Sequence, residues 1–464
     1  MTRPEPQPPV PTSPEEDAYV ARTPESGRLF SEGRRYLPGA DSRTPLFHRP
    51  YPAVMVEGRG ARVRDIDGND LVDFTSNHST LPLGNADERV LAAVKAQLDR
   101  GTSFPGPTVP QITFARKLCE RIPSFEQVRF TSSGTEAVLQ AYRAARAFTG
   151  RGKIVKVEGG YNGSFDAALV SNNSRLEQVG DAQRPAAVAG SSGLAPGTVE
   201  NVVVVPFNDV ATARRLIEEQ AAEIAGVVVE PVMGSAGMIA AEPAYLEMLR
   251  EVTRRHGMLL IFDEVISLRV AYGGAQEHYG VTPDLTCLGK AIGGGFPLGV
   301  FGGRADVMAL YDPTQDRPRP PIPHPGSLNA NPVSLVAGET TFDVLDRAAI
   351  AELNRRGAAV REGLAEAISA AGHAVQVTGL GSLFAIHFTD RPVRSYRDML
   401  ASDPLLRHRL FLALYTEGVL IDPRGVGCAS LATGDAEIEA LLEAVRTVVP
   451  RLAGREHLVP VSGA

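Results

Sequence analysis

Between Glu88 and Lys290 the sequence alternates segments of helical periodicity with short runs that are apolar at almost every position, VVVEPV and LLIFDEV among them. A run that is apolar on both faces needs cover on both faces, and parallel strands obtain that cover from crossover helices. The pattern predicts helices near 88–99, 108–121, 135–149, 209–221 and 243–256, interleaved with strands QVRFT, KIVKVE, NVVVVPF, GVVVEPV, MLLIFDEV and LTCLGK. That order predicts an α/β domain on a mainly parallel sheet. Upstream, GRGARVRDIDGNDLVDF reads as two short strands around the turn signal DGND. Downstream, DPTQDRPRPPIPHPG reads as a Pro-rich loop, after which helix and strand patterns resume from about residue 335 as a smaller α+β unit. The opening residues, rich in Pro, Glu and Thr, read as an arm that is disordered over about its first dozen positions.

Charge and cysteine usage narrow the partners. The 464 residues carry a net charge of -7 with no sustained basic run, which disfavours nucleic acid and anionic membrane surfaces. No apolar stretch reaches about 18 residues and no charged-then-apolar leader is present, so neither a membrane span nor a signal peptide is expected and the default location is cytoplasmic. Cys119, Cys287 and Cys428 are widely spaced, which fits neither a disulfide framework nor a zinc site. No metal is expected.

Lysine is scarce here, with only Lys95, Lys117, Lys153, Lys156 and Lys290 among 47 Lys and Arg residues. Arginine neither loses its proton in a protein nor forms an imine, whereas a desolvated lysine does both. Lys95 and Lys117 lie in helical surface patterns, and Lys153 and Lys156 bracket the start of a strand. Lys290 alone stands before three glycines, in LGKAIGGGFP.

Ligands of open α/β sheets bind at the carboxyl ends of the strands, so those ends are read first. After QVRFT, Ser132, Ser133, Gly134 and Thr135 put hydroxyls and backbone N–H groups at a helix N-terminus, which makes an anion cradle as well as an ordinary cap. After KIVKVE, Tyr161 sits in the Gly-rich turn GGYNG, as a ring for stacking or a turn-packing aromatic. After LLIF come Asp263 and Glu264, buried carboxylates that need a partner, although one of the two can cap the following turn. After LTCLG comes Lys290. A phosphate cradle, a flat face, an acid for a ring nitrogen and an amine for an aldehyde are the parts that hold pyridoxal phosphate.

The ordered motifs SSGTEA, GGYNG, VVVEPV, LLIFDEV, PDLTCLGKAIGGGFPLGVFGGR and HPGSLNANP resemble the class III, fold type I aminotransferases dependent on pyridoxal 5′-phosphate, over roughly residues 35–452. YLPGADSR and VAYGGAQEHYGVTPDLTCLGK resemble glutamate-1-semialdehyde 2,1-aminomutases, and SRTPLF, GGRADVMALYDP, TGLGSLFAIHF and IDPRGV resemble β-phenylalanine-type (β-amino-acid) aminotransferases. The resemblance implies a Pro-rich arm over 1–34, a small-domain segment over 35–78, a large cofactor-binding domain over 79–335 and a C-terminal small domain over 336–464. It implies that Lys290 is the Schiff-base lysine and then the general acid/base between the substrate carbon and the cofactor's C4′. Asp263 would keep the pyridine nitrogen protonated, with Tyr161 and Val265 on the two ring faces. Ser133, Gly134 and Thr135 would take the phosphate, Asn162 and Glu230 would join the cofactor contacts, and Ser327 would reach the phosphate of a neighbouring subunit in a homodimer. Arg43 and Arg424 would meet the carboxylates of amino donor and keto-acid acceptor, small molecules exchanged in a ping-pong reaction.

Four positions depart from the family pattern. Asn162 stands where histidine is usual, Ser327 where threonine is, and Met233 where relatives are often polar, which implies a more apolar substrate pocket. DEVISLRVAYGG is one residue shorter than the aminomutase pattern DEV-x-x-G-F-R, and the β-amino-acid enzymes share that shortening. The leading expectation is therefore a β-amino-acid transaminase. The alternative is a 2,1-aminomutase, for which LEQVGDAQRPAAVAGSSGLAPG would be the gating loop. A cofactor-binding protein without turnover is disfavoured by the intact lysine and aspartate. GKAIGGG does not match a nucleotide-phosphate loop.

Overall fold

A computed structural model describes residues 13–315 and 320–452. Its first sheet is a small meander, β1 (Met55–Arg59), β2 (Arg62–Asp65) and β3 (Asp70–Asp73), where two strands were expected. The extra strand is β1, an exposed edge whose side chains give only a weak apolar alternation. The strand Val419–Leu420, from far along the chain, pairs in parallel with β3.

The central sheet contains β4 (Gln127–Thr131), β5 (Lys153–Val157), β6 (Val202–Val205), β7 (Ile224–Val229), β8 (Leu259–Asp263), β9 (Leu285–Leu288) and β10 (Gly299–Gly303), in the order β4-β10-β9-β8-β7-β5-β6. The neighbours from β9 through β6 are parallel, whereas β10 runs antiparallel to both β9 and β4. The run GVFGG was not anticipated as a strand. Three of its five residues are glycine, which weakens any strand pattern, and a Cβ on Gly303 would lie 2.0 Å from the Asp284 carbonyl.

Helices cover both faces, as the continuous apolar runs require. Gly134–Thr149 lays small residues, Ala137, Ala141, Ala144 and Ala145, against Ile154, Val228, Ile261 and Phe301. Pro243–His256 lays Tyr245, Leu246, Leu249 and Val252 against Val155, Val203, Val227 and Leu260. The alanines allow close approach to the sheet, so enlarging one of them would overpack the layer by about 1–3 kcal/mol.

The opening segment differs from the expected arm. Pro14–Arg22 and Pro24–Gly33 are helices, and Tyr19 and Phe30 enter a core shared with Phe74, Phe384, Leu410, Leu414, Leu441 and Val445. Proline in the first turn, the Ser13 hydroxyl accepting from Glu16 N, and Glu15, Glu16 and Asp17 near the positive helix end are start signals that the proline content obscured. The first dozen residues lie outside the described chain. Among the described residues no helix is long and apolar enough to cross a membrane, and no group of three or more His, Cys, Asp or Glu is arranged to hold a metal ion.

Candidate active site

Lys290 follows β9 after one glycine and adopts φ of 48°, in the left-handed region that a residue with a side chain enters at a cost. Its amine lies among charges of both signs. Burial lowers the amine's affinity for a proton, Asp263 and Glu230 oppose that, and Arg424 and Arg43 reinforce it. The result is an amine held below its ordinary range, closer to the unprotonated nucleophile that carbonyl chemistry requires.

Three adjacent strands present three buried ionisable groups to one loop. Lys156 in β5 donates from Nζ to the Gly160 carbonyl at 2.6 Å. Glu230, at the end of β7, accepts from Tyr161 N at 2.8 Å and from Gly234 N at 3.1 Å. Asp263, closing β8, accepts from Asn162 Nδ2 at 2.9 Å and from Val265 N at 3.2 Å. Burial raises both carboxylates, and the nearby Asp263 helps to push Glu230 up to about 8. The hydrogen bond from Asn162 works the other way on Asp263 and favours its ionised form. The residue that departs from the family pattern therefore supplies an N–H donor to the buried acid.

Glu264 takes the capping role. Its carboxylate accepts from Ser267 Oγ and from the backbone of Ala275 and Gln276, at the start of the helix Ala275–Tyr279.

At the helix Gly134–Thr149, Ser133 Oγ accepts from Glu136 N at 3.2 Å while Glu136 Oε2 accepts from Ser132 N at 2.7 Å, a reciprocal capping box. Among the described residues the N–H groups of Gly134 and Thr135 have no acceptor, which leaves two aligned donors at the positive helix end. A Cβ on Gly134 would lie 2.8 Å from Val265 Cγ2, and one on Gly163 would lie 3.0 Å from Thr135 Cα. These contacts bring the cradle, the GGYNG loop and Val265 together. Tyr161 is 38% exposed, its ring unburied at that junction.

The two arginines rest on a strained turn. Ser76, Asn77, His78 and Ser79 have φ of 43°, 50°, 55° and 66°, four consecutive left-handed residues, none of them glycine. Such strain persists only where the surroundings impose it. Asp73 Oδ1 accepts from the backbone of Thr75 and Ser76, and the buried Arg269 donates to the Ser79 carbonyl. The turn presents Asn77, whose Oδ1 accepts from Arg43 Nη1 at 2.8 Å, and His78, which approaches Arg424 Nη2 at 3.4 Å and Asp422 Oδ2 at 3.1 Å. Arg424 also donates from Nε to Asp422 Oδ1 at 2.8 Å.

Two expected residues stand apart. Met233 is fully buried with Val229, Ala236 and Ile239, in the short hairpin that pairs Val232–Met233 with Ile239–Ala240. Ser327 is exposed on the loop preceding the helix Pro332–Val344, and among the described residues no hydrogen bond joins it to the cradle of its own chain. Lys156, Asn77, His78 and Asp422 were not anticipated. Lys156 had a visible signal, a lysine inside an apolar strand directly before GGYN, whereas the other three are joined only by the fold.

The class III aminotransferase family matches residues 46–449. A glutamate-1-semialdehyde 2,1-aminomutase of Methanothermobacter thermautotrophicus is 41% identical over 92% of this chain and 99% of its own. The crystal structure of an omega-transaminase from Sphaerobacter thermophilus is 45% identical, with a TM-score of 0.90 over 94% of this chain and 100% of that one. A β-phenylalanine aminotransferase from Variovorax paradoxus is 39% identical, with a TM-score of 0.84 over 94% of this chain and 96% of its own. With a lysine, a buried acid and two free helix donors at the ends of one parallel sheet, this chain belongs to the class III aminotransferases and is a transaminase dependent on pyridoxal 5′-phosphate.

Proposed function

We propose that the enzyme moves an amino group between a β-amino acid, or a similar carboxylate-bearing amine, and a 2-oxo acid in a ping-pong cycle. The observation that carries this reading is that Arg43 and Arg424 both lie close enough to Lys290 to lower its amine's proton affinity. Two guanidinium groups near one reactive amine suit substrates that bring a carboxylate in each half-reaction. The likeness to a β-phenylalanine aminotransferase supports the same choice.

The donor set suits pyridoxal phosphate: two N–H groups unpartnered among the described residues for an anion, a buried carboxylate that accepts a hydrogen bond from Asn162, and an amine held low. When bound, that group supplies an aldehyde to carry the nitrogen and a ring that accepts electron density from the substrate carbon. Lys290 Nζ would be the amine that meets the aldehyde and, when free, the group that moves a proton at the substrate carbon, and Asp263 would pair with a protonated ring nitrogen. Tyr161 and Val265 would flank the ring and Ser133, Gly134 and Thr135 would hold the phosphate, while Glu230 fixes Tyr161 by accepting from its backbone N–H. Arg43 orients the donor's carboxylate and Arg424 the acceptor's.

The working unit of this reading is a cytoplasmic homodimer in which Ser327 serves the phosphate site of the other protomer. Val109 and Ile112, 72% and 66% exposed one turn apart on a single helix, and Leu328, 61% exposed beside Ser327, are apolar side chains of the kind a second copy covers.

The aminomutase reading is favoured by the name of the 41% identical relative. Against it, Arg397, itself paired with Glu158, donates to the carbonyls of Val179 and Gly180 and pins part of the loop expected to act as the gate. Visible absorption during addition of α- and β-amino acids, followed by product analysis with a 2-oxo acid, separates the two. Bleaching by a β-amino acid and recovery by the 2-oxo acid support the transaminase. Discharge only by an amino aldehyde or a diamine would replace it with the mutase.

A further inference from the structure

Lys156 takes no part in the reaction as described, yet it is fully buried within a strand. It shares a sheet face with Ile154, and both neighbours in sequence, Val155 and Val157, pack on the other face. An apolar residue there would avoid the desolvation of an ammonium group, so the site retains a charge where folding alone disfavours one. Among the described residues, no carboxylate lies within ion-pair distance of Nζ, whose hydrogen-bond partner is the Gly160 carbonyl. Its electrostatic partners are Glu230 and Asp263, on the next two strands of the sheet.

These three groups grip consecutive residues, Gly160, Tyr161 and Asn162, and two of them, Glu230 and Asp263, also face the Lys290 amine. Lys290 changes charge whenever it releases or accepts a proton. Burial holds the Lys156 amine down to about 7 while Glu230 and Asp263 work to keep its proton on, so by position Lys156 is a second proton-holding cation beside the two carboxylates. Two further titratable groups face the same carboxylates, the phenol of Tyr142 from the helix Gly134–Thr149 and the thiol of Cys287 in β9, and burial raises both so that neither is charged near neutral pH. Arg43 and Arg424 act from the side of the strained turn.

We propose that Lys156 is a positioning residue of the active site, fixing the Tyr161 loop through Gly160 and serving as a counter-charge to Glu230 and Asp263. It touches neither substrate nor the reacting atoms. Its charge sets the field in which Lys290 and the cofactor exchange a proton, and its hydrogen bond sets the height of the ring that flanks the cofactor.

The test uses the purified holoenzyme without substrate, so its outcome is independent of the β-amino-acid reading. The visible band of wild type, Lys156→Met, Lys156→Gln and Lys156→Arg is titrated with pH, and cofactor dissociation is measured for each. Removing a positive charge makes the site more negative and favours the protonated form of the lysine–cofactor linkage. Met and Gln should therefore move the band's midpoint up by about one pH unit, Arg should hold it near the wild-type value, and Met should weaken cofactor binding about tenfold or more. Should Lys156→Met not fold, Lys156→Met with Glu230→Gln removes the buried charges together, and its midpoint should return toward wild type. A midpoint that stays fixed in Met and Gln, with only thermal stability reduced, overturns the proposal and leaves Lys156 a structural residue.

Discussion

Arg424 commits two of its donors to Asp422, with Nε 2.8 Å from Oδ1 and Nη2 2.9 Å from Oδ2. The guanidinium proposed for the acceptor is thus already oriented by a carboxylate only 3% exposed, with His78 against the same group. Burial alone would raise Asp422, but the hydrogen bonds from Arg424 and His78 hold it well below the usual carboxylate range. Asp422→Asn should raise KM for the 2-oxo acid about tenfold while single-turnover rates with the donor stay near wild type. Because the folded-state pKa is depressed, this pair stabilises the fold fully above the unfolded pKa of about 3.9 and loses that contribution as pH falls further. Thermal denaturation below about pH 4 should therefore show a smaller acid loss in the variant than in the wild type.

Among the described residues, Asn162 donates the one side-chain hydrogen bond that favours the charged form of Asp263. Asn162→Ala should weaken cofactor binding about tenfold, the equivalent of about 1.4 kcal/mol. Asn162→His keeps an N–H donor and should retain most of the affinity. Equilibrium dialysis against pyridoxal phosphate reads both.

Replacing Lys290 with alanine removes the amine and leaves the cradle intact. Turnover should fall by more than about 10³-fold, since both a nucleophile and a proton carrier are lost. Cofactor should still bind, without the visible band of the covalent form, and spectra after gel filtration distinguish that result from simple loss of cofactor.

Gly134 has no room for a methyl group, because its Cβ would meet Val265 Cγ2 at 2.8 Å. Gly134→Ala should cost about 1–3 kcal/mol of stability through overpacking, together with weaker cofactor binding. Adding Val265→Ala frees that space, so the double variant should recover stability relative to the single, a coupling that thermal denaturation measures directly.

The site was legible wherever its chemistry sits at the end of an apolar run, because a polar residue there has few structural reasons to exist. Lys290, Asp263, Tyr161 and the SSGT turn all have that context, and the structure brings Asp263, the SSGT turn and Gly289, which adjoins Lys290, against Val265. Which of Asp263 and Glu264 faces the site and which caps a helix depends on strand register, and the sequence left both roles open. The helices at 14–33 were missed because a Pro-, Glu- and Thr-rich composition was read as an arm, whereas those prolines occupy first turns. His78 and Asp422 were missed for a different reason. They lie 344 positions apart and acquire meaning only when the strand Val419–Leu420 pairs with β3.

A loop whose three successive residues are each tied to a different strand works as a fixed ruler. Any insertion or deletion between Lys156 and Asn162 would break the three attachments together, so this wall of the site admits substitution but not change of length. The opposite wall, Arg43 with the strained turn and Asp422 with Arg424, comes from segments outside the central sheet and carries no such tie. Diversification, natural or engineered, therefore has a partition to work with: one wall can be redrawn for new substrates while the other keeps the chemistry.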